Sequence, residues 1–139
     1  MYEGLIRVQA TATRIACTRM TAQHLEALSD SIERSSCPPA RSGWELQAAA
    51  HTEIFSLLAQ VAGDPVVAAV LNVGAGCMRD LLLAVGPAAD DMILSSRRRL
   101  LEHVRRGDAD GAALEMENHL RSLHFMRRPG RHSSPGALT

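Results

Sequence analysis

Apolar residues recur along most of the chain at steps of three and four positions, which places them on one face of an α-helix. In the first two segments the pattern is carried by Leu5, Val8, Ala12, Ile15, Leu25, Leu28 and Ile32. We find no stretch that alternates apolar and polar residues in the way a half-buried β-strand requires. The pattern therefore predicts an all-α protein.

Capping residues, glycines and prolines divide this pattern into six segments of helical length. The predicted helices cover about residues 2–18, 21–34, 44–63, 65–85, 88–106 and 109–128. Thr21, Asp64 and Asp108 are the predicted N-cap residues, and Pro65 takes the first helical position after Asp64. Long helices joined by short connectors favour an antiparallel helical bundle, for which we expect a central cavity.

Two stretches are predicted to lie outside the helices. The segment SSCPPARSG, residues 35–43, should form a loop, because its two prolines remove backbone donors and its serines and glycine favour turns. The last segment, PGRHSSPGALT, residues 129–139, has no periodic apolar face and is expected to be disordered. Residues 1–128 then form the single predicted domain.

Composition and charge narrow the class of protein. The 15 basic residues are all arginines and are balanced by 15 acidic residues, so the chain lacks the excess positive charge on which nucleic-acid affinity depends. Its 3 cysteines form no CxxC pair, which favours reduced thiols in the cytoplasm. We find no N-terminal signal stretch and expect no apolar run long enough to span a membrane.

Three ionisable residues lie next to the apolar faces of three different predicted helices: His51, Arg97 and His119. Arg97, for example, follows Ile93 by four positions and precedes Leu101 by four. Buried charge is costly without a ligand, a metal or an ion pair, so these residues are candidates for an internal site. A second interpretation stays open, in which both histidines are hydrogen-bonded structural residues and the arginines form a solvated helix face.

Three stretches resemble a known family. They are YEGLIRVQATATRIACTRMTAQHLEAL, HTEIFSLLAQVAGDPVV and SRRRLLEHVRRGDADGAALEMENHL. In their order and separation they resemble the C-terminal effector-binding domain, or FCD domain, of GntR-type bacterial transcription regulators in the FadR branch. The resemblance runs from about Tyr2 to Arg128. It implies a regulatory domain without enzymatic activity that binds a small effector and forms a homodimer.

The resemblance also implies where a site would lie. Many members of the family hold zinc or nickel through four side chains, and their positions fall on His51, Phe55, Arg97 and His119 of this chain. Phe55 cannot bind a metal and Arg97 would repel one, which leaves two imidazoles where an open zinc site usually has three protein ligands. We expect instead that Arg97 pairs with the carboxylate of a small organic acid, with hydrogen bonds from His51 and His119.

GntR regulators read DNA through an N-terminal winged helix-turn-helix, whereas this chain begins within the stretch that resembles the first helix of the effector-binding domain. We therefore expect DNA binding only through a domain that this chain does not contain. Two other functions stay open at this point. One is a metal-dependent enzyme that uses His51, His119 and a carboxylate, and the other is a helical interaction module without a small ligand.

Overall fold

The structure, a computed structural model, describes residues 2–37 and 43–127. Its helices are α1 (Tyr2–Cys17), α2 (Ala22–Ser36), α3 (Trp44–Ala62), α4 (Pro65–Val85), α5 (Asp90–Arg105) and α6 (Ala109–Arg127). A short 3₁₀ turn, Pro87–Ala89, joins α4 to α5, and the described residues contain no β-strand. The prediction of an all-α bundle of about six helices is confirmed.

The helices begin at the capping residues that the sequence indicates. Thr21 accepts a hydrogen bond from the backbone N–H of His24 at 3.2 Å, and the His24 ring accepts one from the Thr21 N–H at 3.3 Å. The Asp64 carboxylate accepts from the Val66 N–H at 2.8 Å, and Asp108 in the same way caps α6. These side chains satisfy N–H groups that have no partner within the helix.

Two boundaries differ from the prediction. Helix α2 continues through Ser36, two residues into the predicted loop, and the hydroxyls of Ser35 and Ser36 bond to carbonyls of the last turn. After α4 the chain forms the 3₁₀ turn first, so that α5 begins at Asp90 instead of at about residue 88. The remainder of the predicted loop and the tail 129–139 lie outside the described residues.

Packing brings the helices together around one core. Helix α3 packs against α4 and α2, α1 packs against α6 and α4, and α5 packs against α6 and α2. The core side chains are mostly leucine, isoleucine, alanine and methionine, with Phe55 among them. The bulkiest of the fully buried side chains is nevertheless that of Arg97.

Helix α4 is strongly apolar, although much of it is exposed. Over 18 residues its mean hydropathy is 1.6, and only 28% of that window is buried. By length and composition it could cross a membrane, so the expectation that no apolar run reaches that length is wrong. It is the one such helix among the described residues, and it packs against α3, α1 and α6 as a bundle helix does.

A glycine allows the close approach of α1 and α4. Gln9 of α1 is 1% exposed and donates a hydrogen bond to the carbonyl of Val70 at 2.6 Å. A Cβ atom at Gly74 would overlap the amide of Gln9, whereas a Cβ at Gly76 would meet open space. Both glycines lie inside α4, where alanine has the higher helix propensity. Alanine substitutions at the two positions therefore separate the effect of packing from the effect of helix propensity.

We predict that Gly76→Ala raises the free energy of unfolding by about 1 kcal/mol, because it adds helix propensity without a clash. Gly74→Ala should be less stable than Gly76→Ala by about 1 kcal/mol or more, because it displaces Gln9 from its hydrogen bond. Urea denaturation of both variants, alone and combined with Gln9→Ala, measures the difference. In the Gln9→Ala background the two alanine variants should be equally stable. A remaining difference between their free energies of unfolding would contradict this explanation.

Candidate functional site

Helices α3, α5 and α6 bring the three predicted site residues together. His51, Arg97 and His119 are 1%, 1% and 3% exposed. The guanidinium Nη2 of Arg97 donates to the backbone carbonyl of His51 at 3.2 Å. The guanidinium carbon also lies 5.9 Å from the centre of the buried Phe55 ring. Together with Asp90, whose carboxylate contacts the His51 ring, these three residues form the polar cluster.

His51, Arg97 and His119 face inward because each lies on the apolar face of its helix. His51 shares the buried face of α3 with Ile54 and Leu58, and Arg97 follows the buried Ile93 by about one turn of α5. In an α-helix, residues three and four positions apart lie on the same face. The same periodicity that builds the core therefore also carries these three side chains into it.

Asp90, the first residue of α5, belongs to the cluster, although no pattern in the sequence marks it. Its carboxylate Oδ1 lies 2.7 Å from Nε2 of His51 and 3.4 Å from Nε2 of Gln47. In the sequence it reads only as an acidic residue in the first turn of a helix, where the helix dipole favours a negative charge. It lies 39 positions from His51, and no periodic pattern connects the two residues.

The guanidinium of Arg97 makes no ion pair with a carboxylate among the described residues. The nearby Glu115 is already engaged, because its oxygens accept from Ser96 at 2.8 Å and from Arg99 at 2.8 and 3.2 Å. Burial lowers the pKa of Arg97 to about 10, although the charge of Glu115 acts in the opposite direction. Arg97 therefore stays cationic at neutral pH.

The two histidines of the cluster are neutral at neutral pH. Burial lowers the pKa of His51, an effect that the hydrogen bond to Asp90 opposes and the charge of Arg97 reinforces. Burial also lowers the pKa of His119 well below its usual value, and the positive charge of Arg97 adds to this shift. A neutral imidazole has one donor nitrogen and one acceptor nitrogen.

Three buried nitrogen atoms of the cluster have no hydrogen-bond partner within the described part of the chain. They are Nδ1 of His51, Nε of Arg97 and Nε2 of His119. A buried polar atom without a partner costs about 1–3 kcal/mol, so native proteins rarely retain one without a ligand or a bound water. Three such atoms on three converging helices need partners, which either bound water or a ligand can supply.

The donor set does not fit a divalent metal. Within residues 2–37 and 43–127, no group of three or more histidine, cysteine, aspartate or glutamate side chains is arranged to hold a metal ion. The position between His51 and His119 that the resemblance assigns to a third ligand holds the cationic Arg97, which repels a second cation. The roles of His51 and His119 as zinc or nickel ligands remain a prediction without structural support.

The predicted central cavity also remains a prediction. A small cavity of about 20 Å³ lies between α1, α4 and α6, where it is bordered by Gln9, Gly74 and apolar side chains. None of its lining residues belongs to the polar cluster. At this volume it has room for about one water molecule.

The fold is a six-helix bundle with a buried polar cluster, and comparison with known families assigns it to a class. Residues 1–122 match the FCD domain, the C-terminal domain of GntR/FadR-type transcription regulators. The chain therefore belongs to the FCD family, as its sequence predicts, and is an effector-binding regulatory domain. The comparisons with curated proteins and with solved structures find no match.

We predict that the protein loses stability as the pH falls below about 6.5, the usual pKa of histidine, because His119 binds a proton more readily when unfolded. A histidine whose pKa is lower in the folded than in the unfolded protein stabilises the fold at pH values above its unfolded pKa. This stabilisation is lost as the pH falls through its folded pKa. His119→Gln should reduce the difference in unfolding free energy between pH 7.5 and pH 5.5, measured by urea denaturation.

The control variant is His24→Gln, since glutamine can also close the capping box at the start of α2. It should retain the pH dependence of the unchanged protein. If His119→Gln and His24→Gln give the same pH profile as each other, His119 is not the group responsible.

Proposed function

We propose that this FCD domain senses a small organic acid, whose carboxylate pairs with Arg97 in the polar cluster. The observation that carries the proposal is a fully buried guanidinium without a carboxylate partner among the described residues. A carboxylate ligand supplies the missing charge through two parallel N–H···O bonds, which the planar guanidinium favours. His51 and His119 add hydrogen bonds, and Phe55 borders the guanidinium.

The energetics favour a ligand over a purely structural function. A structural arginine in a core is normally neutralised by a carboxylate, because an unpaired buried charge costs several kcal/mol. Here the fold directs Glu115 to Ser96 and Arg99 instead. The protein thus retains an unfavourable group that a bound anion would stabilise.

Regulation follows from the placement of the cluster at the junction of α3, α5 and α6. A ligand bound there contacts three helices and favours whichever arrangement of them binds it more tightly. In a dimer, a shift of this kind changes the relative positions of the two protomers. We propose that this couples effector binding to DNA binding by a winged-helix domain in the cytoplasm, with no catalytic step.

We further propose that α1 and α4 form the surface on which two copies of the domain associate. Val8, Val66 and Val73 are 46%, 72% and 58% exposed, although all three are apolar. A groove between the two helices is lined mainly by valine, leucine, alanine and glycine. An exposed groove lined by apolar side chains is typical of an interface between subunits.

We predict that Arg97→Met strongly weakens the binding of organic acids while it stabilises the protein in the absence of ligand by about 1 kcal/mol or more, because it removes an unpaired buried charge. Loss of a buried charge pair typically costs about 2 kcal/mol or more, or roughly thirtyfold in Kd. Isothermal titration with a panel of organic acids and urea denaturation measure the two effects.

The matched control is Arg98→Met, which changes the same residue type one position along α5 at an exposed site. It should leave acid affinity unchanged. A structural role for Arg97 predicts the opposite result, namely that Arg97→Met is less stable and that no acid binds even to the unchanged protein. The latter outcome would favour a helical interaction module without a ligand.

We predict that the protein is a dimer in light-scattering measurements after gel filtration, and that Val73→Glu converts it to a monomer by placing a charge in the apolar groove. Leu46→Glu is the control, because Leu46 is similarly exposed, at 67%, but lies on α3 outside the groove. A monomeric unchanged protein, or equal dissociation by both variants, would contradict the assignment of this surface.

A further inference from the structure

The hydrogen bond between Asp90 and His51 fixes which ring nitrogen of His51 carries a proton. Oδ1 of Asp90 lies 2.7 Å from Nε2 of His51. A carboxylate only accepts hydrogen bonds, so the hydrogen must be on Nε2. Nε2 of Gln47 bonds to the Ser35 carbonyl, and it lies 3.4 Å both from the same Asp90 oxygen and from Nε2 of His51. Two N–H groups thus converge on one acceptor.

The other ring nitrogen, Nδ1, is then a hydrogen-bond acceptor. Protonation of Nδ1 as well would place a positive imidazolium against the guanidinium of Arg97, which already contacts the backbone carbonyl of His51 in the protein interior. Like charges at short range in a low-dielectric interior repel strongly. Nδ1 is buried and has no hydrogen-bond partner among the described residues.

The polar cluster therefore presents two unlike groups to a ligand. Nε of Arg97 is a donor without a partner and needs an acceptor, whereas Nδ1 of His51 is an acceptor without a partner and needs a donor. A simple carboxylate satisfies Arg97 but leaves Nδ1 without a partner. A keto acid adds only a further acceptor, and the ammonium of an amino acid adds a positive charge beside Arg97.

We infer that the effector is a hydroxy acid, whose carboxylate pairs with Arg97 and whose hydroxyl donates to Nδ1 of His51. This inference rests on the proposed function and adds to it the chemical class of the acid. It makes Asp90 a positioning residue that determines specificity. Asp90 acts through the tautomer of His51, at the partly exposed start of α5, and has no direct contact with the ligand.

The ligand test compares matched acids of increasing chain length, each as its unsubstituted, keto, hydroxy and amino form. Isothermal titration gives the affinities. Fluorescence of Trp44 gives a second reading, because Trp44 is the one tryptophan of the chain and its ring centre lies 6.0 Å from that of His51. The hydroxy form should bind roughly tenfold more tightly than the keto and unsubstituted forms of the same length.

The variant Asp90→Asn tests the tautomer, because an amide can donate to Nε2 and allow the proton to move to Nδ1. The preference for hydroxy over keto acids should then fall roughly tenfold, to near equality. Asp91→Asn is the matched control. Asp91 lies in the same first turn of α5, is exposed, and makes no hydrogen bond or ion pair to the cluster in the described structure, so its variant should retain the preference.

The tautomer can also be read directly in the unchanged protein by ¹⁵N NMR of its histidine rings, with the His51 signals assigned through His51→Gln. We expect the proton on Nε2 without any ligand. This measurement keeps the inference testable if Asp90→Asn fails to fold. A proton on Nδ1 in the free protein would overturn the inference.

The remaining outcomes separate the inference from the proposed function. Equal affinity for hydroxy, keto and unsubstituted acids, or a preference for keto acids, overturns the hydroxy-acid assignment but leaves Arg97 as the carboxylate anchor. Tightest binding of an amino form overturns it as well. If no acid of any form binds, the proposed function itself fails, and the hydroxy-acid assignment fails with it.

Discussion

A positive charge buried without a negative partner in the described structure is the constraint on which the rest of this domain depends. The guanidinium of Arg97 occupies the interior at the junction of three helices, bounded by the Phe55 ring and the backbone of α3. Its burial lowers the pKa of Arg97 to about 10, which still leaves it charged at neutral pH. Such a group destabilises a core unless an anion joins it, which is the physical basis of the proposed effector site.

The surrounding helices hold the nearby carboxylates away from the guanidinium of Arg97. Glu115, which would be the natural counter-ion, is held by Ser96 and Arg99 at the edge of α5 and α6. Asp90 is engaged by the His51 ring. With both carboxylates directed elsewhere, the positive charge of Arg97 faces neutral imidazoles and an aromatic ring. This distribution of charge is the basis of the proposal that the cluster binds a carboxylate instead of a metal.

The outer faces of the bundle complement this interior. Helix α4 exposes much of an apolar surface, and with α1 it forms a groove that water solvates poorly. The close contact of α1 and α4 depends on Gly74, against which the Gln9 amide packs. The proposed dimer surface thus lies on the outside of the domain and the proposed ligand site in its interior, which is the combination that a regulatory domain needs to transmit a binding event.

The sequence by itself determined the helices, their caps and the family, because periodicity, capping and helix propensity act over a few residues. It also indicated that His51, Arg97 and His119 point inward, since each lies on an apolar stripe. The distribution of charge was decided only by the tertiary structure. The contact of Asp90 with His51 and the capture of Glu115 by Arg99 join different helices, and no local pattern encodes them. Whether a buried charge finds a partner depends on which helices pack together, and that is settled only when the chain has folded.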